Sequence, residues 1–257
     1  MTPMRATLKI VAVLGSSVLT LMFVGSETQA RQKDVKAAAA GSTGMTLRVS
    51  AAASRVEALL DPLAGGWAKM PAQRVALNRT PRLYDTEAPS EPEIPFVDIR
   101  LARAEGKLLV NMTWHDPTRD AAEIAKLPSA PTEGRPHKEL TEATDRFSDS
   151  AAVMHPTHAP VNGQWPSLQM GDPGNPVSIY FWNASRGAAR MQAEGRGTTR
   201  RTGETFPAQA AYRDQAWHVT LELQDVSAGI PLAFAVWNGS QQDRDGRKYF
   251  TTWLKLE

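Results

Sequence analysis

The chain has 257 residues, 42% hydrophobic and 22% charged, with a formal net charge of +2, enough for one large domain or two small ones around a substantial core. That small charge, with arginines spread rather than massed, gives no basis for nucleic-acid binding. Cysteine is absent, which excludes disulfides, a cysteine nucleophile, an iron–sulfur cluster held by this chain and a haem attached through C-x-x-C-H.

In chain order, Arg5 and Lys9 precede an apolar run over 10–24, and the small residues Thr28 and Ala30 follow. This reads as a secretory signal over 1–30 cleaved after Ala30, the run being shorter than the ~20 residues of a membrane span. The mature protein is therefore expected to be exported and soluble. Residues 31–44 are small, polar and aperiodic and read as a flexible lead-in. The segment 45–50 alternates as a first strand. A helical turn over 54–60 follows, with Ser54 as cap and Glu57 three residues on. Residues 73–78 make another short strand, and the proline-rich passage 80–95 suits neither a long helix nor a central strand.

The strongest hairpin pairs 96–102 with 108–114 around Gly106. A second pairs 211–213 with 217–223 across Asp214, Gln215 and Ala216. Between them, 117–149 reads as a polar surface excursion with one short helix near 138–143. Residues 164–183 form a glycine- and proline-rich loop carrying Met170, followed by Val177, Ile179 and Phe181 at strand spacing. The Gly- and Arg-rich stretch 185–203 reads as a solvated, mobile loop. The apolar run 230–237 fits a strand buried on both faces, 238–246 a loop, and 247–256 a closing strand. These short strands, turns and hairpins predict a mainly β protein: an antiparallel β-sandwich over 45–257 with a few short helices and long loops.

Few chemistries are marked. The histidines at 115, 137, 155, 158 and 218 make no H-E-x-x-H, and Pro156 keeps His155 and His158 off a shared helix face. No G-x-S-x-G elbow, phosphate-binding glycine loop or marked carboxylate pair occurs. Met170 can fill a core gap or offer a soft sulfur to a metal. Lys248 can guard a sheet edge or, as a neutral amine, ligate. Tryptophans 165, 182, 217, 237 and 253 can pack a core or form a platform for sugars, so an exported carbohydrate-binding module without haem is the competing reading.

The stretches DSAAVMHP (149–156), MGDPGNPVSIYFWN (170–183), LAFAVWNGS (232–240) and DGRKYFTTWLKL (245–256), with VNMTWHDPT at 110–118, occur in one order. That order resembles the haem-binding gamma subunits of periplasmic molybdenum oxidoreductases, namely ethylbenzene, dimethylsulfide and steroid dehydrogenases and chlorate and selenate reductases. The likeness covers about the last 160 residues and leans toward the dimethylsulfide dehydrogenases. It implies a β-sandwich holding one non-covalent haem b, with Met170 and Lys248 as the axial iron ligands. Met170 precedes Gly-Asp before the P-V-x-I strand, and Lys248 lies five residues before Trp253. Arg247 cannot substitute, because a guanidinium keeps its proton. Met154 stands where this family is expected to carry glutamine and is a rival ligand. The resemblance further implies a periplasmic electron-transfer subunit without catalysis of its own. Its partners would be a molybdopterin catalytic subunit and an iron–sulfur subunit in a heterotrimer, with a soluble cytochrome as electron partner.

Overall fold

A computed structural model describes residues 45–80, 94–122, 147–224, 226–227 and 229–257. The expected signal segment, the lead-in, nearly all of 80–95 and the 138–143 helix lie outside the described residues. Chain order runs β1 (Thr46–Leu47), β2 (Val49–Ala51), helix α1 (Val56–Leu60), helix α2 (Gly65–Ala68), β3 (Gln73–Ala76), β4 (Asn78–Arg79), β5 (Phe96–Ala104) and β6 (Lys107–His115). It continues with β7 (Ser150–Pro156), β8 (Val177–Asn183), β9 (Gly187–Ala193), β10 (Arg200–Arg201), β11 (Ala208–Arg213), β12 (Ala216–Leu223), β13 (Ala233–Trp237), β14 (Tyr249–Phe250) and β15 (Lys255–Leu256). A 3-10 turn, Gly239–Gln241, follows β13. Among the described residues no helix is long and apolar enough to cross a membrane.

Two sheets face one another. One has the order β10-β9-β8-β7-β13-β14-β4, the other β11-β12-β6-β5-β2 with β3 also on β5. Their inner faces supply one core, in which Ile99, Leu101, Val110, Met112, Trp114, Val219 and Leu221 meet Val153, Tyr180, Trp182, Phe234 and Val236. Alternation sends neighbouring side chains outward, and both outer faces are partly covered. On one, Ala102, Ala104 and Leu109 lie under Val56, Leu59 and Trp67 of the helices. On the other, Ala152, Val177, Ile179, Ala193, Ala235 and Trp237 form a separate apolar cluster. Cover on both faces is why β7, β8 and β13 read as nearly unbroken apolar runs.

The hairpins close as expected. Glu105 and Gly106 at φ 50° and 79°, and Asp214 and Gln215 at 53° and 57°, take the left-handed conformation of two-residue type I′ turns. Other expectations need correction. The 45–50 strand divides, β1 pairing parallel with β15 and β2 parallel with β5, so the sandwich is not wholly antiparallel. Residues 73–78 divide too, because β3 joins β5 while β4 joins β14 in the facing sheet. The first helix is capped by Arg55 without a side-chain bond, not by Ser54. The closing strand breaks after Phe250 and resumes at Lys255, leaving Lys248 just ahead of β14. The 185–203 stretch is not a loop: β9 pairs with all of β8, and β10 pairs with β9. Its small residues hid it, since Ala189 and Ala193 are buried against the sheet while the arginines suggested solvent.

The polar excursion ends inside the protein. Asp149 is fully buried, and its carboxylate accepts from Gly239 N at 2.8 Å, Asp120 N at 2.8 Å and Trp217 Nε1 at 2.8 Å. Burial, and next the nearby Asp116, raise its pKa to about 7 against these donors. The fold thus holds a proton that the unfolded chain releases near its ordinary 3.8. Its contribution to stability is present at low pH and fades as pH rises from about 4 to about 7. Unfolding free energy is therefore expected to fall between pH 5 and pH 7, by at most about 1.4 kcal/mol per pH unit, and the thermal midpoint with it. Thermal melts across pH should show that slope flattened in Asp149→Asn.

Candidate functional site

The outer apolar cluster of the seven-stranded sheet is roofed by the connection between β7 and β8, residues 157–176. Several short-range bonds shape this connection. Ser167 O accepts from Gly171 N at 2.8 Å, Asp172 Oδ2 accepts from Ser167 N at 2.7 Å, and Ser167 Oγ accepts from Gln169 N at 3.1 Å. Within this turn Met170 and Gly171 sit at φ 75° and 82°. A left-handed methionine is uncommon and costs about 1 kcal/mol or more. Glycine is required beside it, since a Cβ at 171 would lie 2.9 Å from Asn175 O and 3.2 Å from Ala193 O. The turn is held in place by Gly195 N, which donates to Met170 O at 2.8 Å.

From the other side comes Lys248. Its backbone is clipped to Thr80: Lys248 O accepts from Thr80 N at 2.9 Å and from Thr80 Oγ1 at 2.8 Å. Its Nζ lies 3.7 Å from Met170 Sδ and 5.2 Å from the Trp237 ring centre. Lys248 is half-buried, and burial pulls its pKa down to about 8, Asp245 opposing. No carboxylate forms an ion pair with it among the described residues. Arg247 points elsewhere, 3.3 Å from Asp243, which also takes Arg79 through two bonds of 2.6 Å. A lysine guarding a sheet edge would extend into water. This one is folded back onto sulfur and indole and out of water, and that desolvation favours deprotonation.

Between Met170 and Lys248 lies a cleft lined by Met154, Leu168, Ile179, Phe181, Met191 and Phe250, with a volume of about 60 Å³. That is several-fold below the roughly 300–1,000 Å³ of small-molecule pockets. A planar cofactor enters only if the Met170 turn and the lysine part. The donor set nonetheless fits a haem iron of the Met/Lys kind: a thioether and an amine disposed to lose its proton meet in an apolar surround. Met154, the rival sulfur, lines the same cleft, but it is Met170 that contacts Lys248. Thr80 escaped sequence reasoning, and Trp237 was read only as a core or sugar-platform residue, not as a neighbour of Lys248. Thr80 acts through a backbone clip 168 residues away, which no local pattern announces.

The five tryptophans of the sugar-platform reading do not form one face: Trp182 and Trp217 point into the inner core, Trp237 and Trp253 pack in the outer cluster, and Trp165 is half-buried in the 157–176 connection. The histidines also stay apart. His155 is buried in β7, His115 and His158 are exposed and His218 is half-buried, and no cluster of His, Asp or Glu suited to a metal occurs among the described residues. His137 lies outside them.

No protein-family model matches the chain. It is similar to a Haloferax mediterranei protein named as a respiratory nitrate reductase heme subunit, at 28% identity over 204 residues, covering 75% of this chain and 66% of the relative. It is similar to the chlorate reductase subunit gamma of Ideonella dechloratans at 30% over 168 residues, 60% of this chain and 61% of the relative. The dimethylsulfide dehydrogenase subunit gamma of Rhodovulum sulfidophilum matches at 27% over 205 residues, 71% and 68%. The chain thus spans about two thirds of the length of these relatives. The resemblance to haem and gamma subunits carried by the sequence motifs is borne out. The spread of identities singles out no one substrate among them.

Proposed function

We propose that this chain is an exported electron-transfer subunit that binds one non-covalent haem b, with Met170 and Lys248 as its axial iron ligands. In this reading the haem supplies a one-electron carrier, and the chain supplies its setting. The Met170 thioether favours ferrous iron and a raised potential. Lys248 offers a free electron pair only after losing its proton, and burial lowers the cost of that loss. With Met170 and Lys248 both holding the iron, no coordination position would be left for a substrate, and the subunit would relay electrons rather than catalyse. The likeness to gamma subunits extends the reading to its partners. These are a molybdopterin catalytic subunit and an iron–sulfur subunit in a heterotrimer, and a soluble cytochrome as the outside electron partner, all in the periplasm after removal of residues 1–30.

The observation that carries this reading is the meeting of Lys248 Nζ and Met170 Sδ at 3.7 Å over an apolar sheet face, from segments 78 residues apart. A reduced-minus-oxidised spectrum of the purified protein tests it. A low-spin b-type spectrum is expected, with the pigment extracted by acid acetone. Protein that stays colourless when isolated from haem-replete cells and when titrated with hemin would overturn the reading.

A further inference from the structure

The Met170 turn hangs from one more bond, whose donor comes from the segment that also carries the lysine. Trp253 Nε1 donates to Pro166 O at 2.8 Å, across 87 residues of sequence. Pro166 is buried and the bond is partly shielded from water, so a carbonyl oxygen that lost this donor would lose part of its solvation without replacement. The indole N–H can only donate, and the Trp253 ring packs in the same outer cluster as Met170. Pro166 lies just ahead of the Ser167–Asp172 bonds that shape the turn. A shift of its carbonyl therefore carries Met170 with it.

We infer that Trp253 is a positioning residue: through Pro166 it sets where the Met170 sulfur stands relative to Lys248. Trp253 follows Lys248 by five residues. One short segment therefore presents the amine and grips the loop presenting the thioether, coupling the two sides of the cleft. Gly195 N on Met170 O is the second grip and comes from the β9–β10 connection, so neither alone carries the turn. The consequence for iron ligation rests on the haem reading above; the consequence for the loop does not.

Trp253→Phe keeps the ring and removes the N–H, and two measurements read the result. In haem-free protein, amide exchange of residues 167–172 is expected to quicken several-fold, while the β5 and β6 amides keep their protection and show the fold intact. In haem-loaded protein, transfer of haem to an acceptor apoprotein is expected to be about tenfold faster, with a shifted reduction potential, the size usual for an outer partner of a metal ligand. Unchanged exchange at 167–172 overturns the inference whatever the haem does. Quickened exchange with unaltered haem loss and potential overturns its bearing on the sulfur. Should the wild-type protein take up no haem, the electron-transfer reading falls, and the exchange result alone decides the role of Trp253. If β5 and β6 also lose protection, Trp253→His, which keeps a ring N–H, is measured the same way; restored slow exchange at 167–172 supports the inference and its absence overturns it.

Discussion

Lys248→Leu is expected to abolish the low-spin haem spectrum while leaving the protein at least as stable at pH 7 as the wild type. Ordinary core replacements lose stability and function together, so the two effects would separate ligation from packing. Leucine keeps apolar bulk against Trp237 and Met170 but has no electron pair to give. The stability half follows from proton linkage. Burial lowers the lysine pKa from 10.5 to about 8, so below pH 8 the fold bears the cost of a charged amine in apolar surroundings. That cost disappears only as pH rises from about 8 to about 10.5. Leucine removes it across the neutral range. Haem titration and thermal melts on the same haem-free samples check both halves. An unchanged low-spin spectrum in Lys248→Leu removes the lysine from the ligand set.

The largest loss of stability is expected at Gly239→Ala, in the 3-10 turn after β13. A Cβ there would sit 1.8 Å from Phe147 O and 2.8 Å from Asp120 Cβ. The first of these is backbone and cannot swing aside. Gly239 N also donates to the buried Asp149 carboxylate, and Asp149 holds Asp120 N and Trp217 Nε1. Relieving the clash means moving Phe147 or the 3-10 turn, and either motion strains this shared acceptor. Overpacking of this kind costs about 3 kcal/mol or more. At about 2–4 °C per kcal/mol for a domain of this size, the thermal midpoint should fall by about 6–12 °C. Calorimetry checks the value, and a drop of under about 2 °C would mean the turn is looser than its packing implies.

How far the sequence could be read differs by element. The β5–β6 and β11–β12 hairpins were legible because alternation and left-handed turn residues are local signals, complete within about twenty positions. The doubly buried β13 was legible from its unbroken apolar run. β9 was missed because Gly187, Arg190 and its alanines look like loop, although small side chains are what a crowded outer face demands. The broken 247–256 segment, and the division of 45–50 and 73–78 between sheets, depended on which distant strand each half finds. Met170 and Lys248 were singled out through family likeness, since their local patterns favoured a packed thioether and an edge lysine.

By itself, then, the sequence determined composition, strand periodicity and turns. That excluded disulfides and thiolate chemistry and called for an antiparallel β-sandwich with a few short helices and long loops. Tertiary structure alone decided that the 157–176 connection crosses an outer sheet face, and that Thr80, Trp253 and Gly195 hold its two sides. It also decided that Lys248 turns inward onto Met170 Sδ. The physical reason is range. Backbone alternation and turn conformation are settled by neighbours, whereas the burial that makes an amine a candidate ligand is a property of segments 78 or more residues apart.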